Sequence, residues 1–455
     1  MAARTSAPAA RQPATKAVES ALARIAESNG SLHAFAAVDH DGALAAAGDV
    51  DMRAEAGERV GPLAGFTIGV KDMIDVHGLA CGQGSRAYRD GVADADAALV
   101  ERLRLADAVV IGTTTCHELA YGPTGDVSYP HAAVNPHAPG YVPGGSSSGS
   151  GVAVAAHLVT AAIGSDTGGS VRIPAACCGV SGLKPTRGLV SMRGMRPLAP
   201  SLDHVGVLAR STHEVAAVMS AVAGYDVWDE ATRAAPGGTR HDSPTQSPAD
   251  VRVGVLRGHF SAVIDHEVDA AFRTSIDRLR ELGVVVVDVE ADHAEDAMRA
   301  QRTIVAVEAR RTHAARLAAE PDEFGPEVRS RLEAARSITL ETYLEARHSA
   351  SIFRRDLLTA FGQVDVLACP TLPILPPRAG QREDSSGTSH VYDLLTRFTS
   401  PFNTVDVPAM SVPMGWSGDG RPIGMQLVAR PFEEQLLYRM ATAVESMQER
   451  RRPAL

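Results

Sequence analysis

The chain has 455 residues, 54 acidic against 44 basic side chains, a formal charge of −10 and 45% apolar residues. That length allows about two or three average domains or one large α/β enzyme, and an acidic balance without a basic block of five or six residues argues against nucleic acid and anionic membrane as partners. No apolar run reaches the ~18 residues of a membrane span, and five cysteines without a C-x-x-C pair suit reduced thiols in a cytoplasm better than a disulfide frame or structural zinc, so no metal and no cofactor is expected.

Residues 1–15, rich in Ala, Pro, Ser, Thr and Arg, lack the apolar stretch of a secretory signal and read as a disordered tail. From 17 to 27, Val18, Ala21, Leu22 and Ile25 recur at helical spacing. A buried strand is expected at 63–70, ending at Lys71-Asp72, then a helix over 97–105 and a strand over 108–111. A helix over 150–157 and a strand over 159–163 follow, with a short helix opening at 170–173 before Pro174. The stretch 224–250, rich in Pro, Gly, Asp, Ser and Thr, reads as a linker or surface excursion. Beyond it, 251–256, 268–282 and 284–289 form a strand–helix–strand unit, which favours parallel pairing. Long helices are expected over 292–318 and 340–361, strands at 364–369, 409–412 and 425–428, a mobile loop over 370–389 and a closing helix over 433–450. Strands alternate with helices throughout, so residues 16–455 read as one α/β domain with the excursion as decoration.

Two glycine-serine stretches carry the chemistry, 144–150 (Gly-Gly-Ser-Ser-Ser-Gly-Ser) and 164–170 (Gly-Ser-Asp-Thr-Gly-Gly-Ser). Glycine lets backbone approach a ligand and aim its amides at a developing oxyanion. Flexible linkers would have the same composition, but apolar segments flank both stretches. The first fits G-x-S-x-G with Ser147 central, yet three prolines in 135–143 rule out the preceding central strand that motif needs. It is not a Walker A loop either, because no Lys-Ser/Thr follows the glycines. The second has a strand before it and a helix after it, so a serine there would sit beside several backbone N–H groups. Its base is open on the residues alone. None of the sixteen histidines lies in either loop, although a distant one could reach. Only three basic residues are lysines, Lys16, Lys71 and Lys184, and the last two lie in glycine-flanked apolar sequence. A buried lysine can lose its proton, which an arginine cannot. Lys71 as base and Lys71 as the polar end of a strand are both open readings.

With these motifs in place the sequence resembles the amidase signature family. The resemblance runs through 65–72 (Gly-Phe-Thr-Ile-Gly-Val-Lys-Asp), 143–150, 164–174, 179–186 and 201–206, and continues in 369–373, 398–403 and 422–427. It implies a single large mixed β-sheet covered by helices on both faces. It implies an amidase that cleaves the C–N bond of a small carboxylic amide (aryl or aliphatic, or a hydrazide or anilide) through an acyl-enzyme. Carried over residue by residue, the nucleophile falls on Ser170, the base on Lys71 and the bridging serine, with its cis peptide in the family, on Ser146. The oxyanion hole falls on the backbone of Thr167, Gly168, Gly169 and Ser170, with Asp166 and Arg172 as supports. Lys184 falls on a structural position. Ser148 stands where many members have glycine, a variant associated with stand-alone amidases.

The segments 117–129 and 192–202 and the surroundings of Phe402 are expected to line the acyl pocket, through Tyr121, Met192 and Phe402. The family also includes the glutaminase subunit of the tRNA-dependent amidotransferase, which stands as the alternative. Members of that type carry an acidic residue just before F-T-x-P, where this chain has Thr396-Arg397. A catalytically silent scaffold is a third reading, which the presence of Lys71, Ser146 and Ser170 disfavours. A small-molecule amide is the expected partner, and a homodimer the expected assembly if there is one.

Overall fold

The computed structural model describes residues 12–236, 247–384, 387, 389–448 and 451. Its strands are β1 (Phe35–Val38), β2 (Thr67–Lys71), β3 (Val109–Thr114), β4 (Ala161–Ser165), β5 (Ser181–Lys184), β6 (Val205–Ala209), β7 (Arg252–Leu256), β8 (Val285–Val289), β9 (Val366–Pro370), β10 (Ala409–Trp416) and β11 (Pro422–Val428). They form one eleven-stranded mixed sheet, ordered β1-β3-β2-β4-β6-β5-β10-β11-β9-β7-β8. β2 runs parallel to both β3 and β4, and β7 parallel to both β8 and β9. The other neighbours are antiparallel.

The central strands are apolar on both sides, because each side carries a helical layer. Along β4, Ala161 and Ile163 join one apolar cluster and Ala162 the other, and Val207 and Leu208 of β6 divide the same way. The second cluster is closed by α1 (Ala14–Leu32), α2 (His40–Glu55), α4 (Ser148–Ala155) and α5 (Arg172–Cys178). The first is closed by α3 (Ala98–Leu105), α6 (Thr212–Val222), α7 (His266–Glu281) and α12 (Glu434–Ser446). Helices α8 (Ala294–Ala319), α9 (Pro326–Ala334), α10 (Leu340–Ala360) and α11 (Val391–Thr396) complete twelve among the described residues. No helix of the described residues is long and apolar enough to cross a membrane.

Several boundaries differ from the sequence reading for local reasons. Residues 1–11 of the expected tail lie outside the described residues, and its last two residues are helical, since α1 starts at Ala14 and the Ala14 and Thr15 N–H groups donate to Asp51 Oδ1 and Oδ2 at 2.7 and 2.8 Å. Residues 63–66 form a turn rather than the start of β2, with Phe66 N donating to Leu63 O at 2.8 Å and Gly65 at φ 86°. Pro174 lies inside α5 rather than beyond it. It occupies the first turn, where a missing N–H breaks no helical bond. Within the expected excursion, 230–234 and 248–250 are 3-10 turns, while 237–246 lie outside the described residues. The expected mobile loop at 370–389 is anchored through Arg382, whose guanidinium lies 2.9 Å from Asp126 and 3.1 Å from Glu327. The short helix α11 follows it.

Candidate active site

Parallel pairing sets the site. Because β2 and β4 run side by side in the same direction, with Val70 opposite Ile163, their C-terminal ends emerge together. That puts Lys71 beside Ser165. Its Nζ lies 2.8 Å from Ser165 Oγ and 2.7 Å from Ser146 Oγ, with the whole side chain 0% exposed. The Ser165 hydroxyl is directed at Met73 Sδ, 3.2 Å away, so its oxygen is left to accept from Lys71. The Ser146 hydroxyl can then donate to an amine lone pair. Burial lowers the Lys71 pKa to about 8. The charge that would oppose this most is a Cys116 thiolate, but burial pushes that thiol up, so it is neutral near pH 7.

The two glycine-serine loops touch through Ser147 N, which donates to Ser170 O at 3.1 Å. The other hydroxyls of the first loop are occupied by structure. Ser147 Oγ donates to Ser165 O at 3.2 Å and Ser150 Oγ to Ile163 O at 2.9 Å. Gly164 has to be glycine here, since a Cβ would stand 2.6 Å from Ser147 Oγ. The Gly145–Ser146 peptide is cis.

Ser170, 8% exposed, precedes α5 and lines a cavity of about 230 Å³. Of its four expected oxyanion donors, the Gly169 N–H is given to Asp166 Oδ1 at 2.8 Å. The amides of Thr167, Gly168 and Ser170 have no partner among the described residues. Asp166 needs that bond because it is wholly buried. Burial alone would raise its pKa, but Arg172, bonded to it through Nε at 3.1 Å and Nη2 at 2.9 Å, holds the carboxyl well below the usual range. Arg172 in turn donates to Thr399 O at 2.9 Å, Gln426 Oε1 at 2.6 Å and Asn403 Oδ1 at 2.8 Å. A fully buried charge of this kind persists only with its hydrogen bonds filled, and here they tie two C-terminal segments, residues 399–403 and β11, to the loop bearing Ser170.

Further ties fix the carbonyls of the same loop. Gln301 Nε2 donates to Thr167 O at 2.9 Å and Thr399 Oγ1 to Gly168 O at 2.7 Å. Asp203 accepts from Thr167 Oγ1 at 2.6 Å and from the Leu198 N–H at 2.9 Å, joining the cavity wall to the loop bearing Ser170. Asp203, Gln301, Thr399, Asn403 and Gln426 had no role in the sequence reading, although all but Gln301 lie inside the matching motifs. Their roles depend on contacts across more than thirty residues of chain, which spacing does not reveal.

Of the three expected pocket residues, Tyr121 lines the cavity. Phe402 does not. It is 0% exposed and stacks on Phe260 with ring centres 5.4 Å apart, so it supports Asn403 from within an aromatic cluster. Met192 packs against the core instead, and Leu198 of the same segment reaches the cavity. The other walls come from α8, α9 and α11, through Val305, Arg331 and Tyr392 among others, and Arg331 lies 4.1 Å over the Tyr392 ring. No histidine lines this cavity among the described residues.

Comparison with known proteins agrees with this architecture. A glutamyl-tRNA(Gln) amidotransferase subunit from Chloroflexus aurantiacus is 36% identical over 96% of this chain and 93% of that one. A chain solved in work on a vestigial protein complex and the evolutionary origins of an s-triazine catabolic enzyme superposes with a TM-score of 0.91 at 34% identity, covering 98% of this chain and 97% of that one. Peptide amidase from Stenotrophomonas maltophilia superposes with a TM-score of 0.83 at 31% identity, covering 97% and 95%. The family model described as Amidase matches residues 16–438, so the chain belongs to the amidase signature family and is a C–N-hydrolysing enzyme of the amidase type.

Proposed function

We propose that this enzyme hydrolyses a small carboxylic amide through an acyl-enzyme on Ser170, with Ser146 as proton relay and Lys71 as base. The observation that carries the reading is the buried Lys71 Nζ, within 2.8 Å of two hydroxyls and with its pKa lowered to about 8 by burial. In this mechanism the neutral Lys71 amine takes the Ser146 proton while Ser146 takes that of Ser170. Ser170 Oγ attacks the carbonyl carbon, and the negative oxygen is held by the amides of Thr167, Gly168 and Ser170. As the C–N bond breaks, Ser146 passes a proton to the leaving nitrogen and recovers one from Lys71. Water then enters by the same relay, the acyl bond breaks, and a carboxylate leaves with Ser170 restored.

A cavity of about 230 Å³, with Tyr121, Leu198 and Val305 in its walls, suits a small acyl group. The alternative, a role as glutaminase within an amidotransferase, is favoured by the amidotransferase relatives. Against it, Thr396 stands at the cavity wall where that type carries an acid, and the acid one turn earlier, Asp393, has its Oδ1 3.0 Å from Arg302 Nη2. A fluorophosphonate should label Ser170, as read by peptide mapping, and label on Ser147 instead would overturn the assignment. Turnover of a panel of small amides by the chain alone supports the stand-alone reading. Turnover of glutamine only with a partner protein supports the alternative.

A further inference from the structure

A second cavity, of about 460 Å³, adjoins the segment that follows Lys71, and the reaction above does not use it. It lies between the turns of residues 81–91, Arg196-Pro197 and α8. Helix α8 serves both cavities. Gln301, Arg302 and Val305 face the first, and Thr312, His313 and Arg316 repeat the same spacing three turns later, about 16 Å along the axis.

Two polar side chains with little exposure border this second cavity, and one of them is buried without being satisfied. Gln83 is 5% exposed and lines the cavity. His313 is 3% exposed; its Nδ1 lies 2.9 Å from the Tyr88 hydroxyl, and its Nε2 has no partner among the described residues. Buried polar groups are normally paired with protein or with something held in the cavity. The charge present indicates what that is. Arg196 and Arg316 both line the space, against Asp90 as the one carboxylate among the described lining residues. Arg196 is bound to Asp75 at 3.0 Å and to Cys81, and Arg316 to Glu320 at 2.9 Å, and each guanidinium has further N–H groups to offer. Arg316 also lies 5.8 Å over the Tyr88 ring, which orients it. When the Tyr88 hydroxyl donates to Nδ1, His313 Nε2 carries its proton and becomes a donor.

We propose that this cavity binds a small oxyanion, of the carboxylate or phosphate class, between Arg196 and Arg316, with Gln83 and His313 completing its hydrogen bonds. The site is joined to the reaction centre through backbone. Gln83 N donates to Asp72 O at 2.9 Å and Arg196 N to Met73 O at 2.8 Å, and Met73 Sδ is the group that orients Ser165 against Lys71.

Isothermal titration of the full chain with succinate and, separately, with inorganic phosphate tests this. Saturable one-to-one binding of either anion is expected, succinate alone marking a carboxylate site and phosphate alone a phosphate site. Affinity should fall roughly tenfold or more in Arg316→Gln and in Arg196→Gln, each a half-exposed residue, and in Gln83→Met. Arg331→Gln, which alters the first cavity, should leave it unchanged. The proposal fails if neither anion binds or if uncharged succinamide binds as well. It also fails if Arg331→Gln weakens binding while the Arg316 and Arg196 variants do not.

Discussion

Two buried lysines make the most informative comparison in this molecule. Lys71 and Lys184 are both 0% exposed, and burial lowers both, to about 8 and about 7. By pKa alone Lys184 would serve as well as Lys71. Their partners separate them. Lys184 Nζ faces Val407 O, Pro185 O at 3.4 Å and His204 Nε2 at 3.5 Å. His204 Nδ1 lies 2.7 Å from Leu202 O and 3.2 Å from Asp166 O, so that nitrogen holds the proton and Nε2 can only accept. Lys184 therefore meets three acceptors, which match the three N–H groups of an ammonium. Lys71 meets two hydroxyls, and a hydroxyl can give a proton as readily as accept a hydrogen bond. Burial makes a lysine able to lose its proton, whereas a donor-capable neighbour gives that loss a use.

The comparison is broken most directly by substitution at Lys71. Lys71→Arg keeps the charge but cannot act as a base, and should lower kcat/KM by about 10²–10⁴-fold with the fold retained by circular dichroism. Near-normal turnover would remove Lys71 from the mechanism. A pH profile sharpens the same point. The base works only when neutral, and its neutral fraction falls tenfold per unit below its pKa, so kcat/KM should rise with pH and level off above about 8. A profile flat through this range would overturn that expectation. The smallest effect is expected from Lys184→Met, which strips the donors from Val407 O and Pro185 O. Urea denaturation should show a loss of about 1–3 kcal/mol, with kcat/KM within tenfold of wild type. A loss of activity as large as that of Lys71→Arg would make Lys184 part of the reaction.

Much of the site was legible because it is local. Strand β2 ending at Lys71, the glycines of 164–170 and the helix after them lie within short windows, where hydrophobic runs and small residues leave a clear trace. Strands such as β5 and β6 were harder to read. They are buried on both faces and short, so they lack the alternation that marks a half-exposed strand. The pocket was the least legible part. Tyr121 was anticipated, yet Phe402 lies in the aromatic core and Met192 packs elsewhere, because sequence adjacency to a motif does not say which side of the backbone a side chain takes.

By itself, the sequence determined the α/β class, the amidase signature and the positions proposed for acyl transfer. Those depend on residue chemistry within a few positions of one another. Only the tertiary structure decided how they meet. Parallel pairing of β2 with β4 brings Lys71 to Ser165, and Met73 then sets the direction of that hydrogen bond. Arg172 gathers Asp166, Thr399, Asn403 and Gln426 into one buried network. The reason is physical: a buried charge has to find its partners wherever folding places them, and here they come from as far as 254 residues along the chain.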